Sequence, residues 1–403
     1  LMAPYLRKFG CYTVPDFIGT RYGGNLVRAC AVFVLFIASF TYVTAQINAT
    51  GTIASRALGI PFEAGVWVGL ISILICSMLG GMRAVTWTQV AQYIVLIIAY
   101  LIPVFWISSN VGGGIFPHLM LGDEVARLGE LEQQFGLVKN SAADMKAAGV
   151  PGGLKYISGT HSGVPEGGMA VWKYLSLAIC MMVGTASLPH ILMRYFTTPS
   201  VRAARKSVAW SLFFIFLLYS SAPMLATLSK LALMDPNLPT GIIGKSISEV
   251  QSIEWVQRWS EVKQVFIADF NGDGILQLNE WFMRGDVVVL ATPEVAGLPF
   301  VISGLVFAGG MAAAMSTADG LVLAISNALS HDIYYKIIDP KADTAKRLLV
   351  ARVLLVIIGA AGAYIASFRL TSILGSVAWA FDFAMSGLFF PLVLGVWWKR
   401  ATR

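Results

Sequence analysis

The chain has 403 residues, of which 57% are hydrophobic and only 13% are charged, and its mean hydropathy is +0.71. An ordinary soluble domain carries about 25% charged residues, so this balance predicts a polytopic membrane protein. The net charge of +7 requires no nucleic-acid partner, because Lys and Arg concentrate beside membrane spans on the cytoplasmic side. Four cysteines without a CxxC spacing predict neither a disulfide nor a metal centre, and the absence of a nucleophile motif argues against an enzyme.

Eight apolar stretches are long enough to cross a bilayer, which takes about 20 residues. They cover residues 27–58, 64–80, 84–108, 171–196, 206–229, 298–330, 347–368 and 371–398. The sequence therefore predicts an all-α fold. The first residue is Leu, and the chain stops just after a basic helix end, "WWKRATR". We therefore expect a fragment of a longer protein.

The connections between these spans alternate in charge. Segment 109–170 has six acidic and four basic residues, and segment 231–297 has nine acidic and four basic residues. The alternate connections, 80–84, 197–206 and 331–347, carry a net positive charge, and so do the two chain ends. By the positive-inside rule, we expect both ends in the cytoplasm and the two polar insertions, 109–170 and 231–297, outside the cell.

The second insertion contains "DFNGDGILQLNE", residues 269–280, which matches the twelve-residue calcium loop of EF-hands. Position 6 is the required glycine, and we expect a short exit helix after the loop because Gly285 follows. The alternative is a simple turn rich in Asn and Gly. The predicted ligands of a structural Ca²⁺ are Asp269, Asn271, Asp273, the Ile275 carbonyl, Gln277 and Glu280.

Four motifs resemble the sodium:solute symporter family: "GCYTVPDFIGTRYG" (10–23), "GGMRAVTWTQVAQ" (80–92), "GTASLPHILMRYFTTPSVRAARKS" (184–207) and "AAAMSTADGLVLAISNALSHDIYYK" (312–336). The resemblance implies an inverted-repeat fold of five plus five helices. The eight spans then correspond to core helices 3–10, and the N-terminal helices are missing. "GTASLPHILMR" and Gln89 are similar to the acetate and monocarboxylate permease branch, whereas the Ser316–Thr317 pair is similar to the proline and sugar branch.

The resemblance also implies a sodium site. Ser316 and Thr317 match the family's pair of hydroxyl ligands, and the Ala313 carbonyl matches a backbone ligand. Oxygen atoms of this kind suit a hard cation. The alternative is that both hydroxyls bond back to the helix backbone and only assist packing.

Three further places are candidates for lining the substrate path. Gly184 and Pro189 can interrupt a helix, and interrupted membrane helices expose backbone groups to solutes; the predicted lining residues there are Gly184, Thr185, Ala186 and Ser187. Asp382 lies about 18 Å into the last span at ~1.5 Å per residue, and a carboxylate at that depth marks a pathway by default. Gln46 lies on the first span, four residues before Thr50. The alternatives are a proline kink at the first place, a buried acid at the second and helix packing at the third.

Together these features predict a bacterial inner-membrane symporter that uses Na⁺ to import a small organic solute by alternating access. The solute we favour is a short monocarboxylate such as acetate. The expected partners are that solute and the lipid bilayer, and the sequence does not determine the oligomeric state. The alternatives are a symporter-like membrane input module of a sensor kinase and a calcium-gated channel.

Overall fold

A computed structural model describes residues 2–112, 114, 116–135, 142–150, 155–156, 168–370 and 372–402. Part of the first predicted insertion, 109–170, lies outside these ranges. The described residues form helices α1 (Ala3–Phe9), α2 (Val14–Tyr22), α3 (Asn25–Leu58), α4 (Phe62–Asn110), α5 (Pro117–Phe135), α6 (Ala142–Ala147), α7 (Gly168–Ser187), α8 (Pro189–Thr197), α9 (Val201–Met234), α10 (Ile247–Ser252), α11 (Glu254–Glu261), α12 (Val288–Val295), α13 (Phe300–Asn327), α14 (Thr344–Ser367), α15 (Ile373–Ala384) and α16 (Phe390–Trp397).

Irregular helical turns extend three of these elements. A 3₁₀ turn over Gly285–Val287 precedes α12, and α13 continues as a π-helix over Ala328–Ile338. A second π-helical segment, Met385–Phe389, joins α15 to α16. Three short strands, β1 (Lys155–Tyr156), β2 (Val265–Ile267) and β3 (Trp281–Met283), complete the described structure.

Seven of the described helices are long and apolar enough to cross a membrane: Asn25–Leu58, Ala84–Asn110, Val171–Thr197, Val201–Met234, Phe300–Ile338, Thr344–Ser367 and Ile373–Trp397. They correspond to seven of the eight predicted spans. The remaining prediction, 64–80, corresponds to the shorter apolar helix Phe62–Met78. This helix is at the lower limit of the length that a bilayer requires.

The shorter span ends because α4 is broken at Gly81, whose φ of 56° and ψ of −162° are not helical. A glycine accepts this positive φ at little cost, whereas a side chain would be strained there. The chain therefore turns between the predicted spans 64–80 and 84–108 without leaving the helix for more than a few residues.

Helix α13 lies at the centre of the bundle and packs against α3 and both halves of α4. Its middle is rich in small residues, which let neighbouring backbones approach closely. A Cβ added at Gly309 would lie 2.5 Å from the Cβ of Ala99 on α4. Farther along α13, Leu321, Val322 and Ile325 are buried in an apolar cluster shared with α3 and α4.

One cap covers an end of the bundle, and we define it as α5, β1 and residues 235–298. The strands form one antiparallel sheet in the order β1-β3-β2, so both predicted insertions contribute to it. Its core contains the fully buried Trp259 and Trp281, and it is continuous with the apolar end of α9. Glu280 is followed by strand β3 and not by the predicted exit helix. The reason is that residues 281–283 pair with β2 and are all buried.

Candidate functional site

The predicted sodium ligands converge on one point of α13. The Ser316 hydroxyl donates to the Ala313 carbonyl at 2.9 Å, and the Thr317 hydroxyl donates to the same carbonyl at 3.3 Å. Ser316 and Thr317 are half-buried. Hydroxyls in any helix can make such bonds, so the site depends on the three oxygen atoms being gathered within one helical turn. A cation there would replace two hydrogen bonds with oxygen coordination.

Gln89, on the second half of α4, connects that helix to this turn of α13. Its side-chain amide donates to the Ser316 carbonyl at 2.5 Å. Its Oε1 atom is buried and has no hydrogen-bond partner among the described residues. An amide oxygen of this kind can ligate a hard cation, so Gln89 adds one potential ligand to the three predicted oxygens. The sequence motif containing Gln89 indicated a family branch but not this contact.

A carboxylate lies one step farther along α13. The side chain of Asp319 is fully buried, and its Oδ1 accepts a hydrogen bond from Ser77 at 3.0 Å. Its Oδ2 has no hydrogen-bond partner in the described structure. Sequence reasoning missed both residues, although an acid inside an apolar helix is a recognisable signal for a functional position.

Asp382, which the sequence predicts to line the substrate path, lies in a different environment. It is exposed on α15, and no hydrogen bond or ion pair to it is found among the described residues. It lines neither of the two cavities described below. Its predicted role in a substrate path stays a prediction.

The predicted helix interruption lies between α7 and α8. α7 ends at Ser187, Leu188 is extended with φ −64° and ψ 119°, and α8 begins at Pro189. Pro189 can begin a helix because the first helical position needs no N–H donor. The sequence therefore located the interruption correctly, within residues 184–190.

The four residues before this interruption differ in their access to ligands. Gly184 is buried against α15, where an added Cβ would lie 2.7 Å from the Phe381 carbonyl oxygen. Ser187 is also buried and donates to the Gly184 carbonyl at 2.9 Å. Thr185 is exposed and Ala186 is half-buried. Only these last two residues present surface that a solute could contact, so a lining role for Gly184 and Ser187 would depend on rearrangement.

His190 follows the interruption and is buried. Its ring stacks edge-on against Tyr42 with 5.8 Å between centroids. Its Nδ1 atom has no hydrogen-bond partner among the described residues.

On α3, the polar residues divide between two faces. Thr50 is buried and donates to the Ile47 carbonyl at 2.8 Å, and Gln46 is half-buried with no partner found among the described residues. Asn48 and Thr52, on the adjacent face, line a small polar cavity of about 10 Å³ at the cap. Its other lining residues are Gln264, Arg284, Asp286, Arg369 and Ile373. Gln46, the predicted lining residue on this helix, is not among them.

A larger cavity of about 690 Å³ lies between the cap and the adjacent ends of α3 and α13. Arg56 and Glu294 form an ion pair at its wall, with 2.7 Å between Nη2 and Oε1. Trp259 donates to the other oxygen of Glu294 at 2.6 Å, and the Arg56 guanidinium lies 5.1 Å from the centre of the Trp259 ring. These contacts attach the cap to α3. None of the predicted sodium- or substrate-binding residues lines this cavity.

The calcium-like loop connects β2 to β3 and is closed by its own hydrogen bonds. Asp269 accepts from the Gly272 and Gly274 amides, and Glu280 accepts from Phe270 and Gln277. The Ile275 amide, which donates to Asp273, holds the pKa of that carboxyl below its usual range. Asn271 and Gln277 donate to Asp273 as well.

These carboxylates do not form a ready metal cluster. Among the described residues, the one set of three ligand groups found within 4.8 Å is Asp16, His331 and Asp332. Arg28 pairs with both aspartates of that set, at 3.3 Å and 3.6 Å, which makes it a salt-bridge cluster joining α2, α3 and the end of α13. The calcium site at 269–280 stays a prediction.

The geometry is that of a polytopic membrane protein with an interrupted helix and a gathered set of oxygen ligands inside the bundle. The family model described as "Sodium:solute symporter family" matches residues 1–247 and 287–403. The chain belongs to the sodium:solute symporter family. The match omits residues 248–286, which hold most of α10, all of α11, β2, the calcium-like loop and β3, and the start of the 3₁₀ turn after β3.

Relatives support this assignment. The chain is 39% identical to an uncharacterized symporter of Cupriavidus necator, covering 100% of this chain and 70% of that protein. It is 25% identical to a monocarboxylic acid transporter of Corynebacterium glutamicum and 24% identical to an uncharacterized symporter of Bacillus subtilis. Both alignments include 99% of this chain. They include only 64% of the monocarboxylic acid transporter and 65% of the Bacillus subtilis symporter.

A solved structure has the same fold. It is a Na⁺-coupled sialic acid symporter in a substrate-bound, outward-open state, which matches with a TM-score of 0.64 at 15% identity. The match covers 99% of this chain and 69% of that one. The predicted inverted-repeat symporter fold is confirmed.

Proposed function

We propose that the protein is a sodium-coupled secondary transporter that imports a short monocarboxylate by alternating access. The observation that carries the proposal is the convergence of Ala313, Ser316 and Thr317 on α13, beside the unpartnered Gln89 oxygen. Oxygen ligands in a dry site suit a hard cation such as Na⁺. The family assignment and the monocarboxylic acid transporter among the relatives support this substrate class.

The proposal extends to location and lining residues. We place the protein in the bacterial inner membrane, with the cap outside and both ends of the chain in the cytoplasm, on the charge pattern of the connections. The proposed substrate path passes the interruption after α7, where Thr185 and Ala186 offer accessible surface. A structural Ca²⁺ in loop 269–280 is part of the proposal and is supported by the complete sequence pattern.

The test is uptake by the full-length protein in proteoliposomes. Labelled acetate, pyruvate, proline and glucose are offered with an inward Na⁺ gradient, and in parallel with K⁺ replacing Na⁺ or with an inward proton gradient alone. We expect accumulation of a monocarboxylate only with Na⁺. Uptake of proline or glucose instead would contradict the substrate class, and accumulation with protons alone would contradict sodium coupling.

A further inference from the structure

The small polar cavity beneath the cap collects positive charge. Its charged lining residues are two arginines, Arg284 and Arg369, and one acid, Asp286. The Asp286 Oδ2 already accepts a hydrogen bond from the Ile373 amide at 3.2 Å, at the start of α15. Two basic residues and one acidic residue thus line the cavity. The acid whose charge acts on Arg369 is Glu63, which is exposed on the first turn of α4.

Arg369 has an unfavourable backbone conformation and a buried side-chain nitrogen without a hydrogen-bond partner among the described residues. Its φ of 47° is positive, which only one other non-glycine residue shares in the described part of the chain. Its guanidinium lies 3.4 Å from the centre of the Phe62 ring, and its Nε is buried with no hydrogen-bond partner among the described residues. Strained backbone of this kind persists where the surroundings fix it, and it concentrates at binding sites.

The electrostatic situation of Arg369 also favours an anion. Burial and the nearby Arg284 guanidinium lower the pKa of Arg369 to about 10. Two like charges in one partly buried place repel each other, and an anion between them would relieve both the repulsion and the loss of hydration. Arginine is suited to this task because its guanidinium makes charge-assisted hydrogen bonds to a carboxylate oxygen.

We propose that Arg284 and Arg369 form an outer binding site for a small anion, the carboxylate of the transported solute, with Asn48 and Thr52 on its inner wall. The cavity of about 10 Å³ has room for one oxygen-sized group, so one carboxylate oxygen enters it while the body of the solute stays outside. Arg284 belongs to the segment 248–286 that the family match omits. The site is therefore a feature that this cap adds to the family fold.

Asn48 and Thr52 give the site an inward direction. They lie four residues apart on one face of α3, and Thr44 continues the same face one turn deeper. A carboxylate released from the arginines meets this row of polar side chains next. The site would thus raise the local concentration of anionic solute at the cap end of the bundle. The identity of the anion as the transported solute rests on the proposed function, whereas anion binding by the two arginines does not.

The first experiment measures binding without transport. The full-length protein in detergent, in sodium-free buffer, is titrated with acetate, pyruvate, acetamide and chloride while its unfolding temperature is recorded. We expect acetate and pyruvate to stabilise the protein and acetamide, which has no charge, to have no effect. Loss of a charge-assisted hydrogen bond should weaken acetate binding by about tenfold in Arg284→Gln and in Arg369→Gln.

Matched variants keep this test specific. Arg258→Gln removes an exposed arginine of the same cap segment, which pairs with Glu254 away from this cavity, and should leave acetate binding unchanged. Arg369→Lys keeps the charge and should retain part of the affinity, even if Arg369→Gln folds poorly. Asp286→Asn removes the opposing charge and should tighten acetate binding, a gain that a purely structural role would not produce.

The second experiment measures uptake kinetics in proteoliposomes. Arg284→Gln and Arg369→Gln should raise KM for the monocarboxylate with little change in kcat. Wild-type acetate affinity in both variants, or equal stabilisation by acetamide, would overturn the inference. Stabilisation by chloride but not by acetate or pyruvate would contradict the assignment of the solute carboxylate to this site. If the wild type transports no monocarboxylate but arginine-dependent acetate binding remains, the proposed function fails and the anion site stands.

Discussion

The cap and the centre of α13 hold carboxylates in opposite ways. In the loop at 269–280, the exposed Asp269 and Asp273 and the buried Glu280 each accept hydrogen bonds from backbone amides of the same loop. In α13, Asp319 is fully buried and has a single hydroxyl partner, Ser77. Each of these loop carboxylates has a backbone partner, whereas the Oδ2 atom of Asp319 has no hydrogen-bond partner in the described structure. Polar atoms without partners therefore distinguish the bundle, whereas the cap is built around an apolar core.

The family match separates the same two regions. It covers α13 and its neighbours but omits residues 248–286 of the cap. The cap nevertheless reaches the bundle through the Arg56–Glu294 pair and through Trp259. If the two regions are energetically distinct, changes in one should leave the measured property of the other intact.

The largest expected effect is in the cap core. Trp281 is fully buried, and its ring packs edge-on against Trp255 with 5.8 Å between centroids. Trp281→Ala should destabilise the cap by about 3–5 kcal/mol, because it leaves a large cavity. Hydrogen exchange of the cap amides measures this change, and a sodium titration of the same sample should give the wild-type affinity. Ile275→Ala, at a half-exposed position of the same hairpin, is the control; a parallel loss of sodium affinity would show that the regions are coupled.

The next effect is at the predicted sodium ligands. Ser316→Ala combined with Thr317→Ala removes two hydroxyl oxygens, and at about 1.4 kcal/mol for each the sodium affinity should fall about 100-fold. Uptake as a function of Na⁺ concentration measures it. Ser303→Ala, which removes a hydroxyl elsewhere on α13, should behave like the wild type. Unchanged sodium dependence in the double variant would mean that the site assignment is wrong.

A smaller effect is expected at the contact between α7 and α15. The Cβ of Gly184→Ala would lie 2.7 Å from the Phe381 backbone oxygen, so the helices must separate at a cost of about 1–3 kcal/mol. Thermal unfolding measures this cost. Gly304→Ala is the control, because its new Cβ would meet nothing within 4 Å and alanine favours the helix. Equal stability of the two variants would contradict the close packing.

The smallest effect is expected from calcium. At about ten times a dissociation constant of 10⁻⁴ M, Ca²⁺ should stabilise the cap by about 1.4 kcal/mol. Asp273→Ala or a chelator should abolish this gain without changing sodium affinity, and Glu261→Ala outside the loop should keep it. No calcium response in the wild type would leave the loop as a self-closed turn. A loss of sodium binding on chelation would make calcium part of the transport chemistry.

Features that depend on local sequence were predicted correctly, whereas features that depend on long-range contacts were not. Span positions, the interruption within 184–190 and the turn between 64–80 and 84–108 depend on local properties, namely apolar length, proline and glycine. The prediction of an exit helix after Glu280 was wrong because residues 281–283 pair with β2. No local sequence pattern indicates this long-range pairing. The burial of Asp319 and the exposure of Asp382 could not be predicted either, because depth along a span does not indicate which side of the helix is buried.

The sequence alone determined that the chain spans a membrane, which family it resembles and which oxygens of α13 can gather within one turn. These properties follow from composition and from spacing along one helix. Only the tertiary structure decided that Gln89 reaches Ser316, that Ser77 partners Asp319, and that the two insertions build one cap with Arg284 and Arg369 facing a common cavity. Each of these contacts joins residues more than 80 positions apart, and such distances are closed by packing of whole helices and not by any local preference of the chain.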